Sequence, residues 1–231
     1  MKKSFVISLL MIVFLVPVTL LLGTRLPGRW YYLTSTLVII EAMLPFFLVF
    51  ERRKPQAREL VIIAVMCALA TVSRIAFAFL PSFKPITGII MIAGIAFGPE
   101  AGFMTGAISA FASNFFYSQG PWTPWQMMAF GCGGFLAGVL FSRKSRSVNP
   151  IVLAIFGLCT ILFVVGPLLD ACTVFTTLSA FTAEAVWLVF ARGFVHNVAH
   201  GLSCAITLLV LSKPLLEKLN RLRMKYGMLE V

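Results

Sequence analysis

The chain has 231 residues, of which 60% are hydrophobic and only 12% charged, and its mean hydropathy is +0.98. This excludes a soluble globular domain, whose surface needs far more charge to meet water. The net charge of +11 would suit a nucleic-acid partner, but the basic residues cluster between apolar runs, as cytoplasmic loops of membrane proteins do, so a lipid bilayer and no nucleic acid is expected.

Apolar runs near twenty residues recur along the chain, enough helix to cross ~30 Å of hydrocarbon. They lack the in-out alternation of barrel strands, so the fold class is an all-α integral membrane protein. Eight spans are predicted: 5–22, 31–50, 59–80, 85–97, 100–117, 125–141, 150–178 and 184–212. The first, after Lys2 and Lys3, resembles a signal peptide, but no A-x-A-like site follows Leu22, so it is read as a retained span. This divides the chain into two N-terminal spans (1–57), a six-span core (58–213) and a basic cytoplasmic tail (214–231). With the N-terminus inside, fourteen of the nineteen Lys and Arg fall on the inner side, in groups at 2–3, 52–58, 143–146 and 213–225. Only Arg25, Arg29 and Lys84 fall outside, which predicts a cell-membrane protein with both termini cytoplasmic.

Two spans have unusual lengths. The fourth covers only about 20 Å at 1.5 Å per residue and is bracketed by Pro85 and by Gly98-Pro99. Such a segment either packs inside the bundle or marks a substrate site, and its sequence favours neither. The eighth is overlong, so its outer turns near Glu184 and Trp187 either lie at the interface or cover an outer opening.

Ionisable residues within spans are costly and so are functional candidates. Arg74, Asp170, Glu184 and Arg192 all gather towards the outer side, where they either line a polar cavity or pair, as in Arg74–Asp170, to fix helix packing. Glu41 has no obvious partner. His196 and His200 share a helical face with Arg192 and Cys204. Hydrogen bonding across helices is the expected role of the histidines, and no metal site is predicted. The five cysteines all fall inside apolar runs without C-x-x-C spacing and read as small buried hydrophobes. Between the fifth and sixth spans, residues 114–126 are read as an outer loop combining Asn114, Tyr117, Gln119, Trp122, Trp125 and Gln126 with Pro121 and Pro124. Rigid aromatics with a few amides suit a pocket for a large, partly apolar ligand, and Phe79, Phe83 and Lys84 form a second aromatic-basic segment beside it. On the third span Ala64-x-x-x-Ala68 is a small-xxx-small pattern that permits close helix approach. There is no G-x-x-x-x-G-K-[ST], H-E-x-x-H or G-x-S-x-G, so the chain carries no ATPase or hydrolase signature.

Taken together, Ala64-x-x-x-Ala68, Phe83-Lys84-Pro85-Ile86-Thr87-Gly88, Phe97-Gly98-Pro99-Glu100-Ala101-Gly102, Gly106-Ala107 and the Gly120–Gln126 string resemble the substrate-binding S-components of energy-coupling factor (ECF) vitamin transporters. The resemblance covers about residues 58–213 and is greatest to the cobalamin-specific group. It implies a six-helix core with two additional N-terminal spans, and a transport subunit rather than an enzyme. It also implies a vitamin captured from outside, and a scaffold subunit with two ATPase subunits that hydrolyse ATP, the chain having no cofactor of its own. Carried over, Ala64 and Ala68 would face the scaffold. The expected substrate-binding residues are Arg74, Phe79, Phe83, Lys84, Asn114, Tyr117, Gln119, Trp122, Trp125, Gln126, Asp170, Trp187 and Arg192. An S-component for another micronutrient, such as a queuosine precursor, is an alternative. So is a rhomboid-like protease using Ser109 or Ser113 with His196 or His200, although Ala110 stands where a glycine would follow the serine. A self-contained secondary transporter would show a second repeat, and none is detectable.

Overall fold

The computed structural model describes residues 18–19, 21–22, 31–53, 55–144 and 148–225. The predicted span 5–22 therefore lies largely outside the described residues. The described residues form seven long or mid-length helices with no strand: α1 (Tyr31–Arg52), α2 (Ala57–Ala76), α3 (Ile86–Phe97), α4 (Pro99–Tyr117), α5 (Trp122–Phe141), α6 (Pro150–Thr177) and α7 (Ala183–Lys225). They coincide with the second to eighth predicted runs. Five of them, α1, α2, α5, α6 and α7, are long and apolar enough to cross a membrane unaided.

Helix α3 is too short to cross, and all twelve of its residues are buried. It occupies the centre of the bundle between α5, α4, α7 and α2. Helix α4 spends its polar side chains inward: Thr105, Ser109, Ser113 and Asn114 are buried along it, with glycines at 102 and 106. A Cβ on Gly134 of α5 would collide with the Gly102 carbonyl, so the backbones of α4 and α5 meet directly there. Gly98, at φ 96°, makes the abrupt joint between α3 and α4 that a residue with a Cβ would resist.

Helix α2 buries Ile63, Met66, Cys67, Ala70, Thr71 and Arg74, a helical i, i+3, i+4, i+7 stripe. Its outward face carries Ala64, Val65, Ala68, Leu69 and Val72. The helix ends at Ala76 rather than Leu80, because Pro81 disfavours helix before it and Ser82 takes φ 59°. Helix α1 packs on α4 and α5 through Phe46, stacked 4.0 Å from Phe103 and edge-on 5.2 Å from Phe135. Glu41 of α1 accepts a 2.5 Å hydrogen bond from Thr19, a partner the sequence did not suggest. All five cysteines are free thiols.

Two expectations need correction. Of the expected tail 214–231, residues 214–225 continue α7, which runs 43 residues through Pro214, about 64 Å of helix. Leu216 and Leu219 bury against the core, and Arg223 donates to the Ala96 carbonyl at 3.2 Å. Arg53, paired with Glu59, donates to the neighbouring Phe97 carbonyl at 3.2 Å. Two guanidiniums thus satisfy the orphan carbonyls at the negative end of buried α3. Burial and Arg223 pull the pKa of Arg53 down, opposed by Glu100. Second, residues 114–126 are mostly helical. Only 118–121 lie between α4 and α5, since Pro124 falls in the first turn of α5, where a missing N–H breaks no bond.

Candidate functional site

One end of the bundle carries the connections 77–85, 118–121 and 178–182, and a cavity of about 570 Å³ opens between α2, α5, α6 and α7 at that end. Its buried floor is made by Arg74, Phe130, Asp170, Asn197 and His200. Its rim is exposed and includes Thr173, Thr177, Leu188, Arg192 and His196. Lys84, Ser82 and Gln126 close the side towards α3 and α5.

Each floor residue is held by neighbours. Arg74 is only 4% exposed, and its guanidinium donates to the Ser113 hydroxyl and to Asn114 Oδ1 at 3.0 Å. It lies 4.6 Å from the centre of the Tyr117 ring, and the Tyr117 hydroxyl donates to the Arg74 carbonyl at 2.8 Å. Lys84 faces the same ring at 5.3 Å, and burial together with the Arg74 charge lowers its pKa. On α6, the helix widens into a π-turn at Ile161–Val165 just ahead of Pro167, whose ring and missing N–H disrupt regular α geometry. One turn later Asp170 faces α7, where Asn197 Nδ2 donates to its Oδ2 at 2.7 Å. A Cβ at Gly193 would strike that carboxylate, so the glycine makes room for it.

Both histidines bond across helices. His200 Nε2 meets the Thr87 hydroxyl at 2.7 Å, tying α7 to the first turn of α3, and His196 Nδ1 meets the Ser82 hydroxyl at 2.6 Å. Ser82 holds a left-handed φ in this contact.

Of the residues expected at the site, Arg74, Lys84, Gln126, Asp170 and Arg192 line the cavity. The Arg74–Asp170 ion pair considered from the sequence does not form, since Asp170 is held by Asn197 instead. Tyr117 and Asn114 lie behind Arg74: Asn114 is fully buried, and its amide donates to Thr123 at 3.0 Å. Gln119 donates to the Phe111 carbonyl, closing the turn. Trp125 is 5% exposed and stacks on Phe175 at 5.7 Å, one residue from the wall. Trp122, 39% exposed, donates to the Ser118 carbonyl. Phe83 leans on Phe77 at 5.4 Å, and Phe79 and Trp187 are exposed on the outside at 76% and 74%. Sequence reasoning missed Ser82, Phe130, Thr173 and Asn197, none of which is charged. It saw both histidines without placing them at a cavity.

The serines considered for proteolysis do not meet a histidine. Ser109 donates to the Thr105 carbonyl, and Ser113 donates to Ala110 while accepting from Arg74.

The family described as the ECF-type riboflavin transporter, S component, matches residues 54–217. The chain belongs to that family. The match starts after α1 and takes in α2 to α6 and most of α7, so it contains the whole cavity. No curated protein and no solved structure matches the chain. As an ECF S component the chain is a multi-pass membrane subunit that serves transport rather than catalysis.

Proposed function

We propose that this S component captures a vitamin-sized micronutrient in the cavity from the outer side and delivers it inward with a scaffold subunit and two ATPase subunits. The observation that carries this reading is the cavity itself: buried floor, open rim, and polar groups converging from four helices in an S-component chain. The basic residues support the orientation. Arg52, Arg53, Arg58, Arg143 and the C-terminal part of α7 lie at the end opposite the cavity, which by the positive-inside rule supports a mouth on the outer side. Ala64 and Ala68 lie exposed on the outward face of α2, where their small side chains suit close approach by a scaffold helix.

A volume of 570 Å³ falls within the roughly 300–1,000 Å³ of sites that enclose drug-sized ligands. A molecule of flavin size fits inside, in line with the name of the matched family. Cobalamin, the substrate expected from the sequence resemblance, is far bulkier and would sit partly outside the rim. The exposed Thr177 and Leu188 leave the mouth open for it.

Vesicles holding the chain with scaffold and ATPase subunits should accumulate a labelled flavin (riboflavin or riboflavin 5′-phosphate) or cobalamin only when ATP is present, and not without the chain. Accumulation of the same ligand by scaffold and ATPases alone would remove the proposed role.

A further inference from the structure

The cavity carries more positive charge than its own residues balance. Arg74, Lys84 and Arg192 line it against one carboxylate, Asp170. Among the described residues, Arg53 at the far end of the bundle pairs with Glu59 and Glu100, whereas none of these three cations meets a carboxylate in an ion pair. Arg74 is the most telling of them. It is buried, its hydrogen bonds go to a neutral serine and a neutral asparagine, and its Nε is buried without a partner. The aromatic faces of Tyr117 and Phe130, at 4.6 and 5.7 Å, soften its charge without cancelling it. Lys84 looks onto the same Tyr117 ring, so two cations share one corner. Holding like charges together in a buried corner is costly unless a counter-charge arrives. A purely structural role would require carboxylate partners that neither Arg74 nor Lys84 has among the described residues.

We infer that the substrate carries an anionic group, a carboxylate or a phosphate, that seats between Arg74 and Lys84. The rest of the molecule then runs past Phe130 towards the rim. This rests on the cavity being the substrate site and narrows the substrate to anion-bearing micronutrients. A cationic compound, such as a queuosine precursor bearing an amine, would be repelled from this corner, and a neutral one would leave it unbalanced.

The test uses the full chain in nanodiscs of zwitterionic lipid. Phosphate and acetate, each against chloride at matched ionic strength, should raise the melting temperature of the wild type, and the larger rise tells which anion the corner prefers. Lys84→Gln should remove the rise. Absence of any anion-specific rise, or its persistence in Lys84→Gln, overturns the inference. So does a Lys84-dependent rise produced only by adding anionic lipid, which would make the corner a headgroup site. In parallel, riboflavin 5′-phosphate should bind on the order of tenfold tighter than riboflavin, as charge-assisted hydrogen bonds allow. Equal affinity, or tighter binding of riboflavin, would refute the anionic substrate while leaving the cavity as the substrate site. Binding of either flavin that persists unchanged with the cavity blocked by Thr173→Trp would instead refute the proposed function.

Discussion

Replacing Asn197 with alanine isolates the contact that holds the acidic wall of the cavity. Asn197 lies against Gly166, where a Cβ on the glycine would collide with its amide, so the glycine makes room for that side chain. From there Nδ2 reaches Asp170 Oδ2 at 2.7 Å, and both residues are buried. A hydrogen bond to a charged group contributes about 1.5–3 kcal/mol, and its loss leaves the carboxylate without this donor. For a chain of this size each kcal/mol moves a melting temperature by about 2–4 °C, so Asn197→Ala should melt roughly 3–12 °C lower. Asp170→Asn keeps an acceptor opposite Nδ2 and removes the charge, so it should lose less stability than Asn197→Ala. Combining the two should cost less than the sum of the singles, because they remove the same bond. Thermal unfolding in detergent, followed by circular dichroism, measures all three. An Asn197→Ala protein melting within about 1 °C of wild type would refute the reasoning, since nothing else in the contact could supply that energy.

Two further predictions separate surfaces from the cavity. Ala64→Trp with Ala68→Trp changes only the outward face of α2, so ligand binding and melting should stay near wild type while co-purification with the scaffold and uptake are lost; normal uptake would move the docking surface elsewhere. Trp125→Ala removes a buried ring stacked on Phe175 and should cost about 3–5 kcal/mol of stability. Affinity per folded molecule should change less than about threefold, measured by calorimetry, and a thirtyfold loss would make Trp125 a ligand contact.

Much of this architecture was legible in the sequence because hydrocarbon thickness imposes a length and Pro or Gly imposes the ends. Pro85 and Gly98-Pro99 bounded α3 to within a residue. The hydropathy signal failed where α7 leaves the apolar region: residues 213–225 are basic and contain Pro214, yet Leu216 and Leu219 recur at helical spacing and bury. At the site, the cost of intramembrane charge pointed to Arg74, Asp170 and Arg192. The amide- and aromatic-rich segment 114–126 gave a different signal from the one its structure uses. Gln119 and Asn114 are engaged in local hydrogen bonds around Thr123, and Trp125 stacks on Phe175. Composition alone does not distinguish an amide that meets a ligand from one that closes a turn. Asn197 and Ser82 were invisible for the opposite reason: their partners lie 27 and 114 residues away.

The central claim is that the cavity between α2, α5, α6 and α7 holds the substrate. Thr173 is exposed on its rim, so Thr173→Trp fills space in the mouth without disturbing the buried floor. Isothermal titration of a ligand that binds the wild-type protein, repeated on Thr173→Trp with a matched melting temperature, tests it directly. The account predicts at least about a tenfold loss of affinity; unchanged affinity would show that the substrate binds elsewhere.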